Sequence, residues 1–562
     1  MSRPISDGFV ADFETTRDVD EFGAIRMRVW LFDICTIGEP YTHRTFQDIE
    51  SGLTWLSAFG SAKVYFHNLK FDGSYLLDWL FRNGYEWDDQ TVNPGTFSFL
   101  ISDLGVWYCG TIILKSGTKI RIYDSMKKIP LPVGGKRGIA STYGLPIAKG
   151  EIDYSAPRPV GYSPTPEELE YVRHDTEIVA RALRMHFDAG MKRMTMPGDA
   201  MDGIKKTVHD PYIHFGFKFM SDHPEVDSFC REAYCGGISY VNPEIQGKPV
   251  GAGMVYDVNS LYPFVMREYE YPIRNPVKIE SYMELDSCLW IGEFQLEAEL
   301  IPGRLPTLRA NRKWIDGTFS GRVVLTKIDF EMLLENYIVS YRFIRGYKWR
   351  DSRDDLFRDF ISYWGAKKEK DTGGQRYLDK LMMNSGYGKF GMNPARRRKR
   401  AGFQASEDRV RFYTLDWEVG PCANVAIAAF ITAYARRELM RGVNASTGFC
   451  YCDTDSVHLA EIGGVPAEFR GPVDPVKLGC WKRESEFVRA KFLRQKTYIE
   501  ESAEGKLDVK ACGMPDACKR LVTWENFRMG ASYPGKLLPV MRPGGVDLVE
   551  TEFTVHEVNF TF

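Results

Sequence analysis

The sequence predicts a mixed α/β (α+β) fold divided among several domains. Three observations predict it. At 562 residues the chain holds three to five domains of roughly 100–200 residues, or one domain with large insertions. Short apolar runs that end in turns, such as Val64–Phe66 and those around Asp257 and Asp455, read as strands. Between them lie stretches with apolar stripes at helical spacing, such as Pro166–Leu183 and Gly373–Asn384.

Composition bounds the function. Hydrophobic residues make up 44% and charged residues 26%, as in an ordinary soluble globular protein. Aromatics reach 14%, enough for stacking surfaces as well as a core. With 73 Lys+Arg against 75 Asp+Glu the formal net charge is −2, which excludes a uniformly basic binder. Any nucleic-acid contact must use local basic patches, of which Arg396–Arg400 is one; the plainer reading of that run is a solvated loop. The eleven cysteines form no C-x-x-C pair, so free thiols are expected and structural zinc is not. The start, MSRPISDGFVADFE, lacks the apolar segment of a signal peptide. The longest mostly apolar stretch, Ala423–Ala435, is too short to cross a bilayer and reads as a buried helix. A soluble intracellular protein is expected.

In chain order, FVADFETT reads as a strand with Asp12 and Glu14 on one face. YFHNLKFDGSYLL reads as a strand entering a loop that carries His67, Asn68 and Asp72, with Gly73 permitting a turn; His67 is taken as a packing residue. TPTPEELEYVRHDTEIVARAL opens like a helix, with Thr165 as N-cap, Pro166 in the first turn and Glu168 three residues after the cap. Tyr171 and Asp175, four apart, share a face. Taken singly, the acids pass for surface or turn residues. Taken together, Asp12, Glu14, Asp72 and Asp175 are hard oxygen donors for two cations, with Tyr171 placed to orient a water. That is nuclease chemistry.

The later two thirds carry a second acidic set. GMVYDVNSLYP puts Asp257 at the end of an apolar strand, before a turn and Tyr262. YCDTDSVHL reads as strand, turn, strand, with Asp453 and Asp455 at the bend. Carboxylates in apolar sequence are costly without a partner, and each raises the other's pKa; a divalent cation settles both. Between these segments Arg376, Lys380, Asn384 and Tyr387 form one stripe of a helix, with Lys368 two turns earlier. Such cations offset charge on a leaving pyrophosphate. Lys496, in LRQKTY, is placed for a primer phosphate.

The order D-x-E, N-x-x-x-D, Y-x-x-x-D resembles the exonuclease motifs of proofreading DNA polymerases. With YDSMKKIP, Y-x-G-G at Tyr234–Gly237, DVNSLYP, KLMMNSGYGKF, YCDTDS and LRQKTYI, the whole chain resembles the protein-primed family B DNA polymerases of the Bacillus phage φ29 kind. The resemblance implies an RNase H-like 3′–5′ exonuclease domain (1–190), then a right-hand polymerase domain. Its parts would be the palm (191–266 and 421–527), fingers (355–391), thumb (528–562) and two terminal-protein-region insertions (267–354 and 392–420).

The resemblance also implies residue roles. Asp257, Val258 and Asp455 would hold catalytic metal, with Asp453 beside them. Val258, Tyr262, Lys368, Lys380, Asn384 and Tyr387 would face the incoming nucleotide, Tyr262 under its sugar. Lys496 and Tyr498 would face the primer end, and Tyr234, Gly236 and Gly237 the DNA. In the exonuclease, Lys149 would join the catalytic set. Thr15, Asn68, Phe71, Ser125 and Tyr154 would handle a single-stranded 3′ end.

The implied cofactor is Mg2+, with Mn2+ as a substitute. The implied partners are primer-template DNA, dNTPs, single-stranded DNA and a terminal protein in a heterodimer. The protein would otherwise be a monomer, without a membrane, in the cytoplasm of an infected host cell. Three positions depart from the family pattern. Met126 stands where Leu is usual. Gly386 stands where a bulky residue is usual, at a mid-helix cost of roughly 1 kcal/mol and with a looser nucleotide pocket expected. The first insertion looks short near Arg312–Arg322. Two alternatives are weighed: a reverse transcriptase, against which the exonuclease set and the D-T-D spacing argue, and a non-catalytic DNA-binding protein on a polymerase fold, against which the retained acids argue.

Overall fold

The computed structural model describes residues 8–208 and 217–556; the first seven residues of the N-terminal reading lie outside it. Helices and strands are mixed as expected. The largest sheet has ten strands. Its spatial order is Arg409–Thr414, Arg398–Gln404, Thr96–Ser102, Trp107–Ile113, Lys119–Asp124, Ser61–Phe66, Phe9–Val19, Ile25–Thr36, His43–Phe46, with Glu86–Trp87 beside Thr96–Ser102. Strand alternation splits the Phe9–Val19 side chains between two cores. Phe9, Ala11 and Phe13 pack with the Leu69–Arg82 helix, whereas Val10 packs with the Pro166–Asp188 helix. Asp12 and Glu14 continue the Val10 side, which sets them against Tyr171 and Asp175.

The Pro166–Asp188 helix begins as its sequence predicts. Thr165 Oγ1 accepts from the Glu168 amide at 3.2 Å, and Glu168 Oε2 accepts from the Thr165 amide at 3.0 Å. The loop expected around Asp72 is instead the first turn of the Leu69–Arg82 helix. The chain turns one step earlier, at Asn68 (φ 71°), a residue type that tolerates this region. Gly73 serves close packing, since a Cβ there would lie 2.5 Å from the Trp107 ring.

A five-stranded sheet forms the centre of the second half, in the order Trp481–Phe487, Gly253–Val258, Ser456–Ala460, Phe449–Asp453, Ser239–Val241. The apolar stretch is, as expected, a buried helix, Val425–Ala445. The cationic stripe spans more than one element. Lys368 belongs to the Arg358–Lys370 helix, Arg376 to Asn384 to the Gly373–Ser385 helix, and Tyr387 to a following 3-10 turn. Gly386 stands at that junction rather than mid-helix. A Cβ on it would lie 2.7 Å from Ile204 Cδ1, so the glycine lets this junction pack closely on the Met196–Thr207 helix.

The basic run is not a solvated loop. Arg398–Gln404 pairs with Arg409–Thr414 and, through Arg398 and Lys399, with Ser102 and Ile101. The Arg398 guanidinium bonds Glu418 Oε1, at 3.1 Å from Nε. Arg397 Nε lies 3.6 Å from Asp103, and its guanidinium stacks 4.5 Å above Trp417. The C-terminal hairpin, Ser532–Arg542 with Gly545–Thr554, docks on the large sheet. Pro543 O accepts from the Met27 amide at 2.8 Å, and Val546 O accepts from Tyr75 OH at 2.7 Å. Arg409 also donates to Met541 O at 3.3 Å, so the two hairpins and the sheet form a closed circuit. Among the described residues no helix is long and apolar enough to cross a membrane.

Candidate active sites

The first acid cluster sits where the Phe9–Val19 strand meets two helices. Asp12, Glu14 and Asp175 each offer an oxygen within 4.8 Å of the others. Asp72 reaches the same cavity, of about 660 Å³, and accepts from the Phe13 amide at 3.2 Å. Burial, and then the Asp175 charge, push the Asp12 carboxyl up to about 8. Burial and the Asp12 charge push Glu14 and Asp72 well up too. Asp175 is also raised by burial, with Lys149 paired to it and working the other way. Asp175 Oδ1 is buried with no hydrogen-bond partner. Crowded carboxylates that resist ionisation, with an unused oxygen among them, fit a divalent cation.

The predicted exonuclease residues gather here with one exception. Thr15, Asn68, Phe71, Lys149 and Tyr154 line the cavity with the acids. Tyr171 is buried, its hydroxyl 2.7 Å from that of the exposed Tyr154. Ser125 is fully buried, donates to Phe66 O at 3.0 Å and lies 2.8 Å from His67 Nδ1. It is placed to support the His67–Asn68 turn rather than to touch a strand directly. Burial lowers the His67 pKa, in line with its packing role. The C-terminal hairpin adds Leu537, Val546, Asp547 and Leu548 to the cavity wall, which no local motif signalled.

The second cluster forms at one end of the five-stranded sheet. Asp257 lies opposite Ser456, and Asp453 opposite Ser456 and Ser239. Asp455 stands in the turn after Thr454 (φ 62°). Burial, then the charges of Asp257 and Asp453, raise Asp455 to about 7. Burial also raises Asp257, against the pull of Lys482. Lys496 Nζ holds both Asp453 oxygens, at 2.8 and 2.7 Å, so in this state it meets an acid of the site. Val258 is buried, and its amide donates to Asp455 O at 2.8 Å; its carbonyl is the group it can offer a cation. Two part-buried acids beside a backbone carbonyl again suit a hard cation.

Around this end lie the other predicted groups. Tyr262 stacks on Tyr387, centroids 4.3 Å apart at 14°. Lys368 Nζ donates to Ser260 Oγ at 3.2 Å, Arg376 donates to Lys368 O, and Asn384 donates to Lys380 O at 2.9 Å. Tyr498 packs 5.1 Å from Tyr451. The Y-x-G-G segment touches the D-T-D turn: Ile238 O accepts from the Thr454 amide at 2.7 Å, and a Cβ on Gly237 would meet Thr454 Oγ1 at 2.7 Å. Tyr234 packs against Gly391, after the helices. Sequence reasoning missed Arg436, which donates to Cys235 O at 2.7 Å and Gly236 O at 2.9 Å and pairs with Asp329. Arg436 stands beside Arg437 in a helix that also carries Arg441, and nothing in that spacing marks out the buried one.

Comparison with known proteins gives concordant matches. Residues 60–463 match the family described as DNA polymerase type B, organellar and viral. The DNA polymerase of Bacillus phage M2 is 36% identical over 99% of this chain and 100% of its own length. The solved structure of phi29 DNA polymerase complexed with primer-template DNA and incoming nucleotide substrates superposes with a TM-score of 0.87, at 35% identity over 97% of this chain and 99% of that one. The complex of the same polymerase with single-stranded DNA gives 0.86 at 34% identity, covering 97% and 99%.

Proposed function

The chain belongs to the organellar and viral type B DNA polymerases, of the phage phi29 kind, and from that premise we propose how its two acid clusters divide the work. It is a DNA-directed DNA polymerase, and enzymes of this family use divalent metal. Neither a reverse transcriptase nor a non-catalytic DNA-binding protein is supported by its relatives.

Asp257 and Asp455, with Asp453 and the Val258 carbonyl beside them, bind Mg2+, for which Mn2+ substitutes. Divalent metal held by these residues would supply activation of the primer 3′ oxygen and neutralisation of charge on the leaving group. Lys368, Arg376 and Lys380 stand along the triphosphate and offset its charge. Tyr262 lies under the sugar, Tyr387 and Asn384 beside the nucleotide. Lys496 leaves Asp453 for a primer phosphate when DNA enters, and Tyr498 and the Tyr234–Gly237 segment flank the duplex.

Asp12, Glu14, Asp72 and Asp175 form the 3′–5′ exonuclease site, where the Tyr171–Tyr154 hydroxyl pair orients the attacking water and Lys149 stabilises charge on the phosphate. Thr15, Asn68 and Phe71 hold the single-stranded end, with Ser125 steadying the turn. Primer-template DNA, dNTPs and a terminal-protein primer are the partners, and a host cytoplasm is the setting. The domain borders read from the sequence are kept, with the 392–420 insertion docked on the exonuclease sheet.

The observation that carries this reading is the presence of two separate carboxylate clusters in one chain, one of them ringed by cations. Divalent-dependent extension of a primed DNA template, set against a primed RNA template, tests it. Extension on DNA and not RNA is expected; preference for RNA, or none on either, would sink it. Labelling of a terminal protein by one dNMP tests the priming step.

A further inference from the structure

Asp257 has a cationic neighbour outside the motifs. Lys482 stands on the Trp481–Phe487 strand, directly opposite Asp257 in the antiparallel register. Its Nζ lies 3.3 Å from Asp257 Oδ1, and the two side chains are 37% and 23% exposed. The lysine springs from a fixed base, because the adjoining Trp481 is buried against the Val425–Ala445 helix at Gly442. The arrangement mirrors Lys496 on Asp453. Two of the three acids at this end therefore carry an ammonium where a cation is expected. Lys482 is also near enough to Lys368 that its charge, with those of Arg376 and Lys380, adds to burial in lowering the Lys368 pKa. Lys380 also pulls the Asp257 carboxyl down, while Glu484 pushes it up, so two cations and a further acid act on Asp257.

Like charges a few ångströms apart repel, and more strongly near protein than in bulk water. A divalent ion arriving alone must displace the Lys482 ammonium and face the rest. A triphosphate arriving with it offers Lys482 an alternative anion to Asp257, and the flexible lysine stem lets its point charge turn toward the phosphates. We propose that Lys482 is a positioning residue of the palm site, holding Asp257 in the nucleotide-free enzyme and making metal occupancy there depend on the nucleotide. This rests on the reading of Asp257 as a metal ligand.

Mn2+ binding followed by electron paramagnetic resonance tests it in full-length protein, in an Asp12→Ala, Glu14→Ala background that removes the other acid cluster. Binding is compared with and without a non-hydrolysable dNTP analogue on primer-template. Lys482→Met and Lys482→Gln should tighten nucleotide-free Mn2+ binding by about 5- to 10-fold and shrink the enhancement brought by nucleotide, and Lys482→Arg should restore both toward the parent. In insertion assays the Mn2+ midpoint should fall while the maximal rate changes less. Unchanged or weaker nucleotide-free binding in folded Lys482→Met and Lys482→Gln would overturn the inference. Asp257→Asn separates the two claims. If it weakens Mn2+ binding and the lysine variants do nothing, only the role of Lys482 falls. If it leaves Mn2+ binding intact, the metal assignment itself falls.

Discussion

Tyr262 is the residue whose chemistry is most open to a single test. A 2′-OH distinguishes RNA from DNA at a binding site, and a ring fixed under the sugar leaves no space for it. The stack on Tyr387 holds that ring in place. Tyr262→Val should narrow the preference for dNTP over rNTP by about tenfold, ~1.4 kcal/mol, chiefly through better rNTP use. Tyr262→Phe, which keeps the stack, should not. Unaltered discrimination in single-nucleotide insertion by the Val variant would take Tyr262 out of this role. At this scale the acids were legible because charge in apolar sequence needs a cause. Lys482 and Ser125 were not, since what they do depends on a cross-strand neighbour and on a buried histidine that sequence spacing does not reveal. The packing of Gly386 was hidden for the same reason: its close neighbour is Ile204, far away in the chain.

At the scale of elements, the Thr165 capping box shows what local sequence can settle, because all its partners lie within three residues. The Arg398–Gln404 strand shows the opposite. A run of charges hides any alternation, and its pairing partners, Ile101 and Ser102, lie far away in the chain. The pairing changes what the basic run can do. Arg398 already has Glu418, whereas Arg396 is exposed and Arg397 is only loosely paired. Arg396→Ala with Arg397→Ala should therefore flatten the salt dependence of DNA binding by up to about one to two phosphate equivalents, each roughly −0.9 in log–log slope, and Arg398→Ala by less. Equal slopes by filter binding in all variants would show that the run does not meet phosphate. Deleting Arg396–Trp417 opens the circuit made with the C-terminal hairpin. It should abolish strand displacement past one turn of a primed circle while sparing short gap filling, and normal rolling-circle products would refute an encircling role.

The molecule as a whole carries two acidic sites on one continuous framework, and its response to pH and metal follows from that. Burial holds Asp12 at about 8 and Asp455 at about 7, against 3.8 for a free carboxyl. Without metal, the folded state binds more protons than the unfolded chain between those limits, so these acids lower stability as pH rises from about 4 to about 8. A bound divalent cation replaces the protons. The gain in Tm on adding Mg2+ should then be larger at pH 8 than at pH 6, and an equal gain would contradict the burial argument. The central claim is that the clusters are independent catalytic sites, and paired activity assays on folded variants test it directly. Asp12→Ala with Glu14→Ala should abolish degradation of single-stranded DNA by 100-fold or more, on the order expected for loss of metal catalysis, and leave nucleotide insertion within a few-fold of the parent. Asp455→Ala should abolish insertion and leave degradation. Loss of both activities in either folded variant would contradict the two-site account.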